Sequence, residues 1–331
     1  MNFRKYIWFL QKIQTRVMFF LSPQLNQIST RREVTDSIKI LKTTEVYIGL
    51  DNYKNLPNTD FRRVLNISNS TLNPKTGILW LDEKIIKESS YWSSSELQKW
   101  EPRPYLPRKL AGTYSFLPNN GFFHFLIEDL PRYIEVNNFA PNLATISEGS
   151  MSYITDALDI LKPNNYFTVQ VPVKVDNIIL SEKISGQVFS KNDLKLIKDA
   201  FSSYTSSSED RSIFISRRDK DGDKFKTRGI DKREQIEESF ASLGYEIVFL
   251  EELKFKDQVG MISGSKRIAG FHGAGLANII WANQANIIEI SNTRITRHFE
   301  HLSEVCSHKY SFYSTSQPIS NLYEIINGSL S

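Results

Sequence analysis

From position 212 onward the chain alternates strictly between two kinds of segment. Residues 212–216 (Ser-Ile-Phe-Ile-Ser) form a short buried-strand run, and residues 231–243 place Ile236, Phe240 and Leu243 at helical spacing before Gly244. Then follow a strand run at 245–250, a helical segment at 255–263, a strand at 267–271, a helix opening at 276–282 and a strand at 286–290. Short β-branched and aromatic runs separated by helical segments are the signature of a parallel sheet covered on both faces. The first half is less regular. Residues 45–48, 77–81, 166–173 and 177–180 read as strands, and 122–135 reads as helical despite Pro131.

A length of 331 residues exceeds one simple core and suits two domains. A Ser-rich stretch at 202–208 marks a surface connection, and the division is drawn as residues 1–187 and 188–331. Two α/β domains leave a cleft where a ligand sits at the carboxyl ends of strands. Hydrophobic residues at 40% and charged residues at 24% fit a folded globular chain. A net charge of +4 is too mild to indicate a nucleic-acid partner. The lone Cys306 excludes an intramolecular disulfide and reads as a buried, inert thiol.

Residues 7–21 are apolar in outline, but Gln11, Lys12, Gln14, Thr15 and Arg16 interrupt them. They fail as a membrane-spanning helix and lack the clean apolar stretch and cleavage site of a signal peptide. Arg4, Lys5, Lys12 and Arg16 around Trp8, Phe9, Phe19 and Phe20 fit either a basic helix lying on an anionic membrane or a helix packed on its own domain. The expectation is a cytoplasmic protein with peripheral contact to the inner membrane through this segment.

The chemistry centres on the run from Arg267 to Asn278. A strand enters a turn containing Gly273 and Gly275, and a helix begins beyond it. Glycines allow positive φ and close backbone approach. The new helix start offers unpaired N–H groups to an anion, most naturally a phosphate. His272, at the strand end, can donate to the same phosphate; the alternative is a plain turn with a packed histidine. Glu289 on the next strand can accept from both hydroxyls of a ribose, or is a strand-end surface charge. Arg217 and Arg228 suit a diphosphate through their forked donors, or are surface charges. Asp219, Asp221 and Asp223 fail the calcium-loop spacing and read as a solvated loop. A nicotinamide fingerprint is weaker still: its third glycine is replaced by Asn278, and the turn lies on the third strand of its domain rather than the first.

In the first half, His124 and Glu128 stand four apart among apolar residues, so a helix puts them on one face. A desolvated carboxylate gains basicity, as a general base for a sugar hydroxyl requires. The alternative is a packed histidine with a structural partner. No pair among the five histidines has a convincing zinc spacing, and no metal is expected.

Taken in order, these blocks resemble glycosyltransferase family 61. They are Phe123-His124 through Glu128, Leu130, Pro131 and Arg132; Ile215-Ser216-Arg217 with Arg228; residues 244–248; Gln258; His272, Gly273, Ala274, Gly275 and Leu276 with Asn278; and Ile288-Glu289-Ile290. The family includes plant xylan arabinosyl- and xylosyltransferases, animal O-linked GlcNAc transferases of the secretory pathway and bacterial polysaccharide-synthesis proteins. The resemblance implies an α/β fold of GT-B type, two Rossmann-like domains facing across a cleft, with acceptor in the first and nucleotide sugar in the second. It also implies inverting chemistry without a metal or other cofactor. One departure is the Arg233-Glu234 pair, where family members often carry Asn-Glu. The short N-terminus, without the anchor of eukaryotic members, favours a bacterial-type enzyme.

The expected function is transfer of a sugar from a nucleotide-sugar donor, UDP-linked, to a glycan acceptor in surface polysaccharide synthesis. Glu128, assisted by His124, would be the base. The diphosphate would rest on the turn from His272 to Leu276, with Asn278, Arg217 and Arg228, and Glu289 would bind the ribose. The rival is a catalytically silent scaffold that binds nucleotide sugar.

Overall fold

In the computed structural model the described residues are 27–28, 35–47, 59–82, 84–89, 106–183, 189–206, 210–217, 232–292 and 296–330. The N-terminal segment 1–21 and the loop carrying Arg218, Asp219, Asp221, Asp223 and Arg228 lie outside them. The chain divides into two compact units, the division falling after Val188. Among the described residues no helix is long and apolar enough to cross a membrane.

The first unit is built on a nine-stranded sheet. Its strands are β1 (Gln27–Ile28), β2 (Ile38–Tyr47), β3 (Thr59–Leu72), β4 (Leu79–Leu81), β5 (Lys84–Ile86), β6 (Arg108–Leu117), β7 (Ala144–Ser147), β8 (Asn165–Thr168) and β9 (Val173–Ser181). The order is β1-β5-β4-β3-β9-β6-β7-β8, with β2 also on β3. Around β3 the pairings are antiparallel, whereas β9, β6, β7 and β8 run parallel. This mixed sheet differs from the all-parallel sheet of a Rossmann-like domain. The long β3 was hidden in the sequence by its polar residues, which find partners across the ladder. Arg63 donates to Glu182 at 2.8 and 2.6 Å, and Asn66 and Ser68 donate to Asn177. Between them Leu65, Ile67 and Leu72 enter one core with Val175, Ile178, Leu180 and Ile146.

Residues 122–139 form one helical path in three pieces: Phe122–His124, a π turn at Phe125–Asp129, and Leu130–Phe139. The wide turn explains how Pro131 is tolerated. A proline inside a regular helix lacks its N–H and clashes one turn back. Here Leu130 N–H bonds five residues back to Phe125 O, and Pro131 falls in the opening turn of the last piece. That piece packs on β9 and β6.

The second unit carries five parallel strands: β10 (Arg211–Ile215), β11 (Glu246–Val248), β12 (Ser265–Phe271), β13 (Asn286–Ser291) and β14 (Lys309–Ser314), ordered β11-β10-β12-β13-β14. Neighbours Ile213 and Phe214 point to opposite faces and both are fully buried, so both faces are covered. Phe214, Phe240, Tyr245, Phe271 and Tyr313 fill one core. Elsewhere in this unit Phe201, Phe255 and Trp281 pack edge to face. The chain leaves β10 for β11 on one side and returns to β12 on the other. The carboxyl ends of β10 and β12 therefore form the switch point where open α/β sheets bind ligands.

One element differs in type. The helix expected from 276 is a 3-10 helix, Ala274–Trp281. Asn278 explains the tighter winding: its amide donates to Gly275 O and Gln258 Oε1 and accepts from Trp281 Nε1, so side-chain bonds compete with a regular ladder.

The switch point depends on Gly270. A Cβ there would meet Ile215 O at 2.9 Å and Ile215 Cβ at 3.0 Å. Gly270→Ala should lower stability by about 1–3 kcal/mol, read as a fall in the urea midpoint. Gly121, at φ −57 with no atom within 4 Å of an added Cβ, is the control. Gly121→Ala should change stability by less than about 0.5 kcal/mol, and equal effects at both positions would disprove the close-approach argument.

Candidate functional site

Strand β12 delivers His272 to the switch point, and its N–H donates to Ile290 O on β13 at 2.8 Å. The His272 ring lies against Glu289, with Nδ1 2.5 Å from Oε1. Tyr310 on β14 donates its hydroxyl to Glu289 Oε2 at 2.5 Å. Glu289 is 1% exposed, with both oxygens engaged. The ribose contact expected of Glu289 would thus fall to a carboxylate that is nearly fully buried and already bonded to His272 and Tyr310. The His272 side chain retains 20% exposure and meets the Phe299 ring edge-on at 5.4 Å.

Of the two properties that glycine offers at positions 273 and 275, the structure does not use the left-handed conformation. Gly273 is extended, at φ 167 and ψ 173, and neither is among the positive-φ glycines. Space is tight at Gly275 and ordinary at Gly273. A Cβ on Gly273 would lie 3.6 Å from Arg217 Nη2, and one on Gly275 would lie 3.3 Å from Ile215 Cγ2. Arg217 thus brings a guanidinium against the turn from the end of β10. Below it Arg233 donates to Arg217 O, Ser216 Oγ and Glu237, bracing the strand end. The departure at Arg233 is therefore a structural substitution under the same site.

Ala274 opens the 3-10 helix beside Gly273. Leu276 N–H is bonded to Gly273 O, and the Leu276 side chain is buried. Asn278 is 0% exposed, with its amide engaged inside the unit. Both side chains are turned into the unit and shape the turn. Arg228 lies outside the described residues.

In the first unit His124 ends the Phe122–His124 piece and Glu128 lies in the π turn that follows. His124 Nδ1 lies 3.1 Å from Glu128 Oε1, and Lys183 Nζ lies 3.3 Å from Glu128 Oε2. Glu128 is 5% exposed, while the His124 side chain is 23% exposed. Sequence reading missed Lys183, which sits just past the end of β9, 55 positions from Glu128, and carries no local signal.

The adjacent carboxyl, Asp129, was also passed over. Asn120 donates to it at 2.5 Å, Arg132 lies 3.7 Å away, and it borders a small cavity with Ser115, Arg132 and Ser181. Burial pushes the Asp129 carboxyl up to about 7, aided by Glu128 and opposed by Arg132, Asn120 and His124.

Cys306 and His308 are structural. Burial pushes the Cys306 thiol up to about 12, as an inert thiol requires. Ala285 N–H donates to His308 Nδ1 and His308 Nε2 donates to Ile279 O; burial lowers that ring to about 4. Among the described residues no group of three or more His, Cys, Asp or Glu side chains could hold a metal ion.

Residues 122–288 match the protein-family model described as Glycosyltransferase 61. That span takes in His124, Glu128, Arg217 and the glycine turn, and stops short of Glu289 and Tyr310. No curated protein matches the chain.

The Asp129 environment has a measurable sign. Its folded value lies above the unfolded one, so stability present at acid pH is lost as pH rises through about 7. Asp129→Asn keeps the shape without the charge. It should stabilise by on the order of 2 kcal/mol near pH 8, with the gain in Tm shrinking toward zero near pH 4. A gain independent of pH would show that the charge is not the cause.

Proposed function

Since the chain belongs to glycosyltransferase family 61, we propose that it transfers a sugar from a nucleotide-sugar donor, UDP-linked, to a hydroxyl of a glycan acceptor. The observation that carries the site assignment is the Arg217 guanidinium against Gly273, the residue that follows His272, at the switch point of the parallel sheet. Two cationic or donor side chains and the first N–H groups of a helix suit the diphosphate that departs. The two units serve as the halves of a GT-B enzyme, residues 1–187 for acceptor and 188–331 for donor.

The chemistry is a single in-line displacement with inversion and without a metal. The acceptor oxygen bonds to the anomeric carbon as the bond from that carbon to the diphosphate oxygen breaks. His124 takes the hydroxyl proton on Nε2. Glu128 was the first candidate for that step, but it is buried and lies between His124 and Lys183. Its suitable role is to hold the imidazole in one orientation, as a buried carboxylate does in a catalytic triad. Glu289 stands in the same relation to His272. The product enters surface polysaccharide synthesis, made on the cytoplasmic side with the 1–21 segment, outside the described residues, touching the inner membrane.

The purified protein should release nucleoside diphosphate from one of the UDP-, GDP- or CMP-sugars when acceptor glycans are supplied. His124→Asn should lower turnover about 10²- to 10⁴-fold. Glu128→Gln should lower it about 10-fold, since orientation is degraded and the base kept. A greater loss in Glu128→Gln than in His124→Asn would return the base to Glu128. Nucleotide-sugar binding with no transfer or hydrolysis would favour a silent scaffold.

A further inference from the structure

The hydrogen bonds of His272 fix more than its position. An ionised carboxylate accepts hydrogen bonds and donates none. As a carboxylate, Glu289 accepts a hydrogen bond from His272 Nδ1–H on Oε1 and one from the Tyr310 hydroxyl on Oε2. With Nδ1–H committed to Glu289, the outward nitrogen is Nε2. In the neutral ring Nε2 carries a lone pair, which repels a phosphate oxygen. It becomes a donor only when the ring bears a second proton.

We propose that His272 takes up a proton as a nucleoside diphosphate binds, and that Glu289, braced by Tyr310, is the positioning residue that directs it there. This rests on the donor-site assignment given above. The step makes no bond to carbon: a proton moves from solvent to His272 Nε2, which then donates to a diphosphate oxygen. Tyr310 becomes part of the site although it lies beyond the family match.

The surroundings of the ring are compatible with this coupling. Glu289 faces it from β13, with Tyr310 behind from β14. The Phe299 ring covers it from the His298–Val305 helix, and the Arg217 guanidinium lies beyond Gly273. A diphosphate carries more negative charge than the Arg217 guanidinium balances, and an imidazolium offsets part of the rest. His308 shows the contrasting case. Its Nδ1 accepts from a backbone N–H and its Nε2 donates to a carbonyl, so it is held neutral.

Isothermal titration with UDP, in two buffers of different ionisation enthalpy near pH 8, counts the protons. GDP, ADP and CMP are run in parallel. The wild-type protein should take up on the order of one proton per UDP. His272→Asn should bind about 10-fold more weakly with no uptake. Glu289→Gln should bind with uptake cut by more than half. Should that buried variant fail to fold, Tyr310→Phe removes only a hydroxyl and should weaken UDP binding about 3- to 10-fold. The tautomer is read independently from the ring ¹⁵N shifts of His272, which should report Nδ1–H in the unliganded wild type and a mixture in Glu289→Gln. Bound UDP with no proton uptake, or uptake that persists in His272→Asn, overturns the proposal and leaves the donor site standing. If none of the four nucleotides binds, the donor site and the coupling fall together.

Discussion

The close approach of β10 and β12 is the constraint on which the second unit's site depends. Ile215 pairs with Gly270, and its side chain also fills the space left by Gly275. Only with both glycines can the two strand ends come so near. Arg217 and His272 each stand two residues beyond that paired position, so the register that seats Ile215 against Gly270 also brings the Arg217 guanidinium to Gly273, the residue after His272. A slip of one residue would turn every side chain of a strand to the other face. Arg233 then pins the end of β10 from beneath. The glycines thus act through volume rather than through unusual backbone angles.

The same local device occurs once in each unit with a different third partner. His124 and His272 each offer Nδ1 to a buried glutamate and keep part of the ring exposed. Behind Glu128 stands the Lys183 ammonium; behind Glu289 stands the uncharged Tyr310 hydroxyl. A cation compensates the charge of its carboxylate, whereas a hydroxyl orients the carboxylate and leaves its charge in place. The two dyads therefore present different fields to their imidazoles. The first suits a ring that must accept a proton from a neutral hydroxyl. The second suits a ring that must hold an anion.

What could be read from the sequence follows the range of the interactions. In the second unit the strand and helix runs, their parallel pairing and the His272 turn are set by neighbours along the chain, and the periodic pattern carried them. The Leu130–Phe139 helix was readable too, although Pro131 is reconciled with it only by the π turn. In the first unit the antiparallel half of the sheet escaped, because Arg63, Asn66 and Ser68 look like loop residues until Glu182 and Asn177 stand opposite them. The site was legible as a set of residue types, not as a set of roles. Glu289 and Asn278 were open ligand contacts on paper and are engaged side chains in the fold. Lys183 and Tyr310 gave no signal because each is defined by one partner distant in sequence.

The polar layer beneath the π turn belongs to the same logic. Buried ion pairs contribute little net stability, since desolvation offsets their attraction. Yet Arg132 donates to Ser181 O, Glu88 O and Ser89 O, Ser181 donates to Glu135, and Lys183 N–H donates to Glu88 O. These bonds converge on residues 181–183, the stretch that ends in the Lys183 ammonium. Apolar packing alone would tolerate a small slide of the helix along β9, because dispersion contacts are not directional. Fork-like donors on fixed carbonyls admit one register. Since Arg132 and Glu128 leave the same helical path one turn apart, fixing Arg132 on the β9 carbonyl also fixes the separation of Glu128 from Lys183. The buried charges of the first unit are best understood as setting that separation, and through it the orientation of His124.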